Sequence, residues 1–402
     1  MQYLKETLET RIIGEYDVLV AGGGVAGIAA ALAAARNGSK VCLLEKQFML
    51  GGLATAGLVT IYLPICDGKG TQVSFGLAEE LLKLSIKYGY EKELPKEWLE
   101  DSTREERMKH RYRVQFNAQL FAIAAEELLL KEGVKILYGT AACAVTKEKE
   151  KISAVIVENK SGRGALLVKS VVDTTGDADI CAMAGEETAT YRTGNSLASW
   201  YYYCNEAGYH LNMLGFADIP DELKTEEQKE AKKNVRVFGG LDGEEISEMM
   251  TLSHKTLLDD VLKKRETDAS IMPVTIATIP QLRMTRRIVG EYTMELSDDR
   301  AEFADSVGMA SNWRKAGPVY EVPFRCLHGS RVKNLIMAGR CISANDPMWE
   351  ILRVIPVCAV TGEAAGTAAA MSDDFTEIDV AALQTQLQRQ GVKLYYCDLD
   401  EE

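Results

Sequence analysis

The chemistry that the sequence suggests most directly is the binding of a pyrophosphate by glycines. Gly22, Gly24 and Gly27 are spaced as G-x-G-x-x-G in the stretch DVLVAGGGVAGIAAALAAAR. In this pattern the first glycine permits a tight turn, the second lets the backbone approach a pyrophosphate, and the third lets a helix pack closely on a strand. The free N–H groups and the dipole of that helix then face the phosphates. The spacing therefore predicts a dinucleotide site.

A carboxylate follows where such a site needs one. The apolar segment KVCLLEK contains Glu45, about 20 residues after the glycines, where an acid binds ribose hydroxyls. One alternative is a buried helix rich in glycine and alanine that holds no ligand. Another is a membrane span, because the eighteen residues between Asp17 and Arg36 carry no charge. Glycines crowd one end of that run and Asn37-Gly38 is a helix stop, which favours strand, glycine turn and helix.

Side chains for proton transfer and anion binding are few. None of the four histidines stands in a recognised motif, and a surface or core role is favoured for each: His110, His210, His254 and His328. The arginines are more informative, because a guanidinium binds a carboxylate in a planar, bidentate way. Arg283, Arg286 and Arg287 crowd together in QLRMTRRIVGEY, and Arg353 lies in WEILRVIPV. A structural ion pair of Arg286 or Arg287 with Glu291 is an equal alternative.

Composition narrows the classes of function. The 402 residues are 47% hydrophobic and 26% charged, which is typical of a soluble globular chain with a large core. The net charge of -13 argues against a nucleic-acid partner. No two of the nine cysteines stand as C-x-x-C, so we expect no metal site and no redox dithiol. The polar first residues lack the apolar core of a signal peptide, which predicts a reduced, cytoplasmic protein without a membrane partner.

The elements that would position these residues are strands and helices in alternation. Residues 18–20 read as a buried strand and are followed by an alanine-rich helix. Further apolar strands are predicted in KVCLLEK, VKILYG, SVVDTTGDADI and KNLIMAGRCISA, and amphipathic helices over residues 75–89 and 116–133. Residues 144–168 alternate as a small antiparallel layer with SGRG as a turn. The pattern predicts an α/β fold, a Rossmann-type domain with a three-layer parallel sheet.

The region from residue 190 to residue 330 differs in character. It holds an aromatic stretch, SLASWYYYC, a charge run, DELKTEEQKEAKKN, and a helical piece, HKTLLDDVLKKRE. We interpret it as a mixed α+β substrate domain inserted between residues 1–189 and 331–402 of the dinucleotide-binding domain. Packing within a sheet is favoured over a pocket wall for Tyr201, Tyr202 and Tyr203. Asp346 and Trp349, between the last strand and the last helix of that domain, could reach the cofactor.

Six segments together carry a resemblance to a known family. They are VLVAGGGVAG, LLEKQFMLGGLATAG, VVDTTGDAD, RRIVGEY, NLIMAGRCIS and TGEAAGTAAA, and they extend from residue 18 to residue 370. In order and number they resemble the FAD-dependent oxidoreductases related to the flavoprotein subunits of fumarate reductase and succinate dehydrogenase. The resemblance implies FAD as cofactor and is specific for the family, not for a substrate.

The resemblance also implies roles for individual residues. Gly22, Gly24, Val25 and Ala26, beside Gly27, would hold the pyrophosphate, Glu45 the adenosine ribose, and Lys46 would lie at the adenosine end. Gly51, Gly52 and Thr55 would line the flavin side, with Gly176 and Asp177 near the dinucleotide. Gly339 and Arg340 would lie beside the ribityl chain. The helix from Thr361 to Gly366, which includes Gly362, would approach the pyrimidine edge of the flavin. In fumarate reductase relatives arginines bind the dicarboxylate and one delivers the proton, which makes Arg286 and Arg353 the catalytic candidates.

Two departures from relatives of this architecture, and one lone cysteine, narrow the expected cofactor binding and activity. Arg340 follows Gly339 where many such proteins have an acid for the ribityl hydroxyls. Residues 46–60 contain no histidine, so the FAD is predicted to be bound without a covalent link. Cys66 stands alone, which disfavours a disulfide reductase.

The predicted activity is an FAD-dependent hydride transfer between flavin N5 and a small polar metabolite, anionic or hydroxylated. Hydroxyl oxidation and reduction of an activated double bond both fit. The alternative is an electron-transfer subunit whose flavin serves a partner redox protein that carries the metal centre. An RNA-modifying flavoprotein is disfavoured by the acidic charge. The expected partner is a small-molecule substrate, and assembly into a homo-oligomer is compatible with the sequence.

Overall fold

The protein is described by a computed structural model that covers residues 4–215, 225–226 and 236–399. Most of the charge run DELKTEEQKEAKKN lies outside the described residues. The described helices, α1 to α10 in chain order, are Val25–Arg36, Leu77–Ile86, Lys96–Leu99, Arg104–Arg107, Ala118–Lys131, Asp179–Ala184, Gly243–Arg265, Asp346–Leu352, Ile355–Met371 and Val380–Arg389.

The strands in the same residues are labelled β1 to β18 in chain order. They are Arg11–Ala21, Val41–Glu45, Ile61–Tyr62, Val114–Gln115, Lys135–Tyr138, Ala141–Glu148, Lys151–Asn159, Gly162–Asp173, Thr188–Thr190, Asn195–Ser196, Ala198–Asn205, Gly208–Gly215, Val237–Phe238, Met272–Ile276, Arg286–Ile288, Ser306–Ser311, Val319–Pro323 and Leu335–Met337.

The centre of the fold is a mostly parallel sheet. Strands β5, β2, β1 and β8 pair in parallel in that order, and β18 adds a fifth parallel strand on β8. The last residues of β1 and all of β2 are buried, as expected for parallel strands that are covered on both faces. The carboxyl ends of these strands form one edge of the sheet, where open α/β sheets bind their ligands. The predicted Rossmann-type α/β fold is confirmed.

Strand β8 belongs both to the antiparallel layer and to the parallel sheet, which the sequence pattern suggests as separate parts. Its first residues pair with β7 in antiparallel fashion, and its last three pair with β18 in parallel. The predicted antiparallel layer is present as β6, β7 and the start of β8. The turn before β8 comes at residues 160–161, so Gly162 to Gly164 of the predicted SGRG turn already belong to the strand. The apolar strand of SVVD is the continuation of the same element.

Helices α1 and α9 cross in close contact on one face of the sheet. A Cβ atom on Gly366 would lie 2.1 Å from the carbonyl oxygen of Ala30, and one on Gly362 would lie 2.4 Å from that of Ala26. Any larger side chain would therefore force the helices apart, which explains why both are rich in glycine and alanine. No single helix in residues 4–215, 225–226 and 236–399 is long and apolar enough to cross a membrane. The pair α8 and α9, bent by 89°, satisfies that test by length and composition only.

A second, smaller sheet lies within the region predicted as an insertion. Strand β11 is flanked by β12 and β14, and α7 packs on the face that carries Tyr201. The Tyr201 hydroxyl donates to Asp260, and Tyr202, on the other face, donates to Glu91 at 2.6 Å. The hairpin of β16 and β17 instead contributes Val307 to the core of the large sheet. The predicted boundaries of the insertion stay a prediction.

Candidate functional site

One cavity of about 510 Å³ opens at the carboxyl edge of the parallel sheet. Its wall has two parts, which we name by their position. The sheet-edge half is formed by the residues that follow the parallel strands: Ala21, Gly22, Gly24, Val25, Ala26, Leu44, Glu45, Lys46, Gly51, Gly52, Leu53, Ala54, Thr140, Ala141, Ala142, Thr174, Thr175, Gly176, Asp179, Ala338, Gly339 and Arg340. The distal half is formed by residues farther from the sheet: Val59, Ile61, Leu63, Arg113, Trp200, Met213, Gly215, Arg283, Trp313, Arg353, Val354, Ile355 and Cys358.

The three fingerprint glycines are required for different reasons. Gly22 has a φ of +109°, and a Cβ there would lie 2.6 Å from the carbonyl oxygen of Thr174. A Cβ on Gly27 would lie 1.8 Å from the carbonyl oxygen of Gly22, so Gly27 lets α1 start directly at the turn. Gly24 has an ordinary φ of -65°, and a Cβ there would meet no protein atom within 4 Å. The space in front of Gly24 is therefore left for something other than protein, which fits a bound pyrophosphate.

A second loop closes over the fingerprint. The Gly51 N–H donates to the Gly23 carbonyl at 2.8 Å, and Gly51 and Gly52 have φ values of +100° and +55°. Thr55, expected on the flavin side, is fully buried and is not on the cavity wall. Its hydroxyl donates to the Leu50 carbonyl, so Thr55 holds the loop from beneath.

Glu45 is where the sequence predicted it, at the end of β2 and on the cavity wall. It is 6% exposed, and its two carboxylate oxygens accept the N–H groups of Gly23 at 2.9 Å and Gln47 at 2.7 Å. These bonds fix the carboxylate against the fingerprint turn. Lys46 lies beside it on the wall.

The T-G-D segment after β8 is built around a buried carboxylate. Asp173 accepts the N–H groups of Thr175 and Cys181, each at 3.0 Å, and burial raises the pKa of Asp173 to about 6. Gly176 lies on the wall with a φ of +81°, where a Cβ would lie 2.3 Å from the Arg340 guanidinium. Asp177 lies behind the wall instead and accepts the Thr285 hydroxyl at 2.6 Å.

Arg340 occupies the position where an acid was expected. Its guanidinium lies on the wall, donates to the Arg283 carbonyl at 3.2 Å and pairs with Asp177 at 3.5 Å. The neighbouring Trp349, fully buried, donates its indole N–H to the Arg340 carbonyl at 2.6 Å. These contacts hold Arg340 in place, and Gly339, with a φ of +78°, turns the chain there.

The two catalytic candidates have different surroundings. Arg286 is not on the wall; it donates to the Asp177 carbonyl and forms an ion pair with Asp179, both at 2.9 Å. The ion-pair alternative therefore describes Arg286, although the partner is Asp179 and not Glu291. Arg353 lies on the wall of the distal half, between α8 and α9, with its guanidinium 6.0 Å from the centre of the Trp313 ring.

The N-terminus of α9 also reaches the wall. Val354 precedes the helix without a side-chain cap, and Ile355 and Cys358 of its first turns line the cavity. Burial raises the pKa of the Cys358 thiol to about 11, so this thiol is neutral at pH 7. The predicted contact segment with Gly362 lies farther along the helix, at the crossing with α1, and is not on the wall. The helix dipole at Ile355 favours negative charge in the cavity.

Several wall residues were missed from the sequence. Arg113, Trp200, Met213 and Trp313 come from segments without a recognisable motif, and Arg283 was noted only as part of the arginine cluster. One signal was available in LVTIYLP, residues 58–64, where aliphatic residues alternate with Thr60 and Tyr62. Among the described residues, the wall includes none of the four histidines, and neither Asp346 nor Trp349 reaches it.

Comparison with known proteins places these features in a family. The profile of the family described as FAD dependent oxidoreductase matches residues 17–263 and 222–387. A thioredoxin reductase of Ureaplasma parvum serovar 3 is 38% identical over 76 residues, which are 19% of this chain and 25% of that protein. The match thus spans about a quarter of the curated relative.

The solved structures that this chain matches have low sequence identity to it. A geranylgeranyl bacteriochlorophyll reductase-like protein of Thermoplasma acidophilum is 15% identical, with a TM-score of 0.41, over 94% of this chain and 82% of its own. A p-nitrophenol 4-monooxygenase of Pseudomonas putida is 13% identical, with a TM-score of 0.42, over 94% of this chain and 81% of its own.

Proposed function

The chain belongs to the FAD dependent oxidoreductase family, and from this premise we propose that it transfers a hydride between N5 of bound FAD and a small metabolite that carries an anionic group. FAD is the family's cofactor, and it supplies the hydride acceptor or donor when bound. The finer assignment rests on the residues of the distal half.

The sheet-edge half fits the dinucleotide. Gly24 leaves open space at the N-terminus of α1, where the N–H groups of Val25 and Ala26 are available to a pyrophosphate. Glu45 would bind the adenosine ribose and Lys46 would lie nearby. Arg340, held by its contacts with Asp177 and the Arg283 carbonyl, would face the chain that joins pyrophosphate and flavin. We propose that no covalent bond links the flavin to the protein.

One observation carries the proposal of an anionic substrate: the described residues of the distal half include three arginines and no carboxylate. Arg113, Arg283 and Arg353 lie on this part of the wall. The only two carboxylates among the described wall residues, Glu45 and Asp179, belong to the other half. In a chain with a net charge of -13, such a local concentration of positive charge favours an anionic ligand. A planar guanidinium also fixes the orientation of a carboxylate.

The proposed step conserves atoms and charge. Bound FAD would supply the two-electron acceptor: in the oxidative direction a C–H bond of the substrate would break, the hydrogen would leave with its electron pair, and the proton of the neighbouring hydroxyl or amine would pass to a water molecule at the opening of the cavity. The reductive direction reverses these changes. The arginines would hold the anionic group so that the reacting carbon faces N5, and the wall would exclude water from it. An electron-transfer subunit, the alternative activity, would not need a wall of this chemistry.

The experiment starts with the wild-type protein. We expect acid to release free FAD from yellow protein, and anaerobic mixing with a panel of anionic and neutral reductants to bleach the flavin with an anionic compound only. Retention of flavin by the acid precipitate would contradict non-covalent binding. Bleaching by neutral alcohols or sugars alone would contradict the anionic substrate.

Two lysine variants then compare the arginines. We expect Arg353→Lys to keep FAD but to slow flavin reduction by about 100-fold, which corresponds to about 2.7 kcal/mol, because lysine keeps the charge but loses the bidentate geometry. Arg286→Lys is the matched control: it should weaken the contact with Asp179 and leave flavin reduction within about threefold of wild type. Equal rates in wild type and Arg353→Lys would remove Arg353 from the site.

A further inference from the structure

The distal half has an aliphatic wall that the proposed chemistry does not by itself require. Val59, Ile61 and Leu63 all face the cavity, while Thr60 and Tyr62 between them are fully buried on the opposite side. This is the alternation of an extended strand, here around β3. Each of the three aliphatic side chains is only partly covered by protein. The cavity therefore offers a continuous apolar surface beside the arginines.

Two tryptophans extend this apolar surface. Trp200 and Trp313 both lie on the wall, and an arginine lies close to each ring. The Arg283 guanidinium is 5.3 Å from the centre of the Trp200 ring, and the Arg353 guanidinium is 6.0 Å from the centre of the Trp313 ring. The Trp313 indole N–H donates to the Glu350 carbonyl at 3.0 Å and is thus already used within the protein. The Trp313 ring therefore offers the cavity a flat apolar face and not a hydrogen bond.

The side chains of the distal half favour an apolar body over one that carries many hydroxyl groups. Within the described part of the wall this half has no hydroxyl, carboxamide, carboxylate or imidazole side chain; apart from the guanidiniums it offers the neutral thiol of Cys358. A sugar or a sugar acid would lose its bonds to water and find few side-chain partners in return, which is costly. An apolar body has no hydrogen bonds to water to lose, and its transfer from water to this wall is favourable.

We propose that the substrate is an anion on an apolar body, such as an aryl- or alkyl-substituted carboxylate, with the anionic group at the arginines and the body against Ile61, Leu63 and the two tryptophans. This assignment rests on the proposed function and narrows its substrate class. It replaces the small polar metabolite expected from the sequence with an amphiphilic one.

The first test needs no variant. Wild-type holoprotein is titrated with 3-phenylpropionate, its neutral amide 3-phenylpropanamide, and gluconate, which has the charge without the apolar body. Binding is followed by the change in the flavin absorbance spectrum and by calorimetry. We expect 3-phenylpropionate to bind at least tenfold more tightly than either of the others. Equal affinity for gluconate would overturn the apolar body, and equal affinity for the amide would overturn the anionic group.

A pair of variants tests the wall itself. We expect Ile61→Asn to lower the affinity for 3-phenylpropionate by about tenfold, and Ile61→Val to lower it by less than threefold. Ile123→Asn is the matched control, because Ile123 is an exposed isoleucine on α5 away from the cavity, and it should leave affinity unchanged. Unchanged affinity in Ile61→Asn would overturn the role of this wall; if Ile61→Asn does not fold, the wild-type titration decides.

The flavin itself separates this inference from the proposed function. FAD content and reduction by dithionite are measured in the same samples. Tight binding of 3-phenylpropionate by protein that no anionic reductant can bleach would support the inference and contradict the proposed hydride transfer. Bleaching by gluconate, with no binding of 3-phenylpropionate, would support hydride transfer and overturn the inference.

Discussion

The two halves of the cavity are built by different means. The sheet-edge half presents backbone: its glycines leave space, expose N–H groups and turn the chain at φ values such as +109° at Gly22 and +81° at Gly176. The distal half presents side chains, namely guanidiniums, indoles and aliphatic groups on segments as distant as residues 59 and 358. A backbone site must be built by the fold itself, whereas a side-chain site changes with single substitutions. We therefore propose that the first half fixes the cofactor and that the second selects the substrate.

The largest expected effect distinguishes two glycines of the same motif. Gly27→Ala gains about 1 kcal/mol of helix propensity, but its Cβ would lie 1.8 Å from the Gly22 carbonyl oxygen, a backbone atom that cannot move away. We expect the apoprotein to be destabilised by about 3 kcal/mol or more, or not to fold. Gly24→Ala meets no atom within 4 Å, so the stability of the apoprotein should change by about 0.5 kcal/mol or less.

The Gly24→Ala variant, which should fold normally, is expected to bind FAD less tightly than the wild type. Folded Gly24→Ala should bind FAD at least tenfold more weakly, about 1.4 kcal/mol, because the methyl group occupies the space left for the pyrophosphate. Thermal unfolding of apoprotein and titration of flavin fluorescence measure the two effects. Normal FAD affinity in Gly24→Ala, or normal stability in Gly27→Ala, would contradict the assignment of these glycines.

A smaller effect on FAD affinity is expected from a substitution of Glu45, the side chain that we place at the adenosine ribose. Glu45→Gln removes the charge that we expect at the ribose hydroxyls, while its remaining oxygen can accept only one of the N–H groups of Gly23 and Gln47. FAD affinity should fall roughly tenfold, on the order of 1.4 kcal/mol. Glu158→Gln is the control, because the Glu158 side chain is exposed near the end of β7. Flavin content equal to wild type after dialysis would exclude Glu45 from the site.

The difference between the halves also explains what the sequence could predict. The strands and the glycine turn are local patterns in the sequence, and the fold that they predicted is confirmed. The binding of ribose by Glu45 stays a prediction. Gly362 was misplaced because a glycine that serves helix packing and one that serves a ligand look alike in a sequence. Only the Cβ positions separate them: 2.4 Å from the Ala26 carbonyl at Gly362, and no contact at Gly24.

The distal half was mostly missed because its residues meet only in the folded chain. Arg113 directly precedes β4, Trp200 belongs to β11, and Trp313 follows β16, so no spacing along the sequence connects them. The ion pair of Arg286 could not be predicted either, because its partner Asp179 lies 107 residues away in the chain. Alternation in LVTIYLP was the one local signal of the wall.

The most direct test of the division into halves is the position of FAD in a crystal structure of the yellow protein. We predict electron density for the pyrophosphate at the first turn of α1, beside Gly24 and Val25, with the adenosine ribose at Glu45 and the isoalloxazine ring facing the N-terminus of α9. A dinucleotide bound in the reverse direction, with its flavin at Glu45 and its adenine among the arginines of the distal half, would contradict the account.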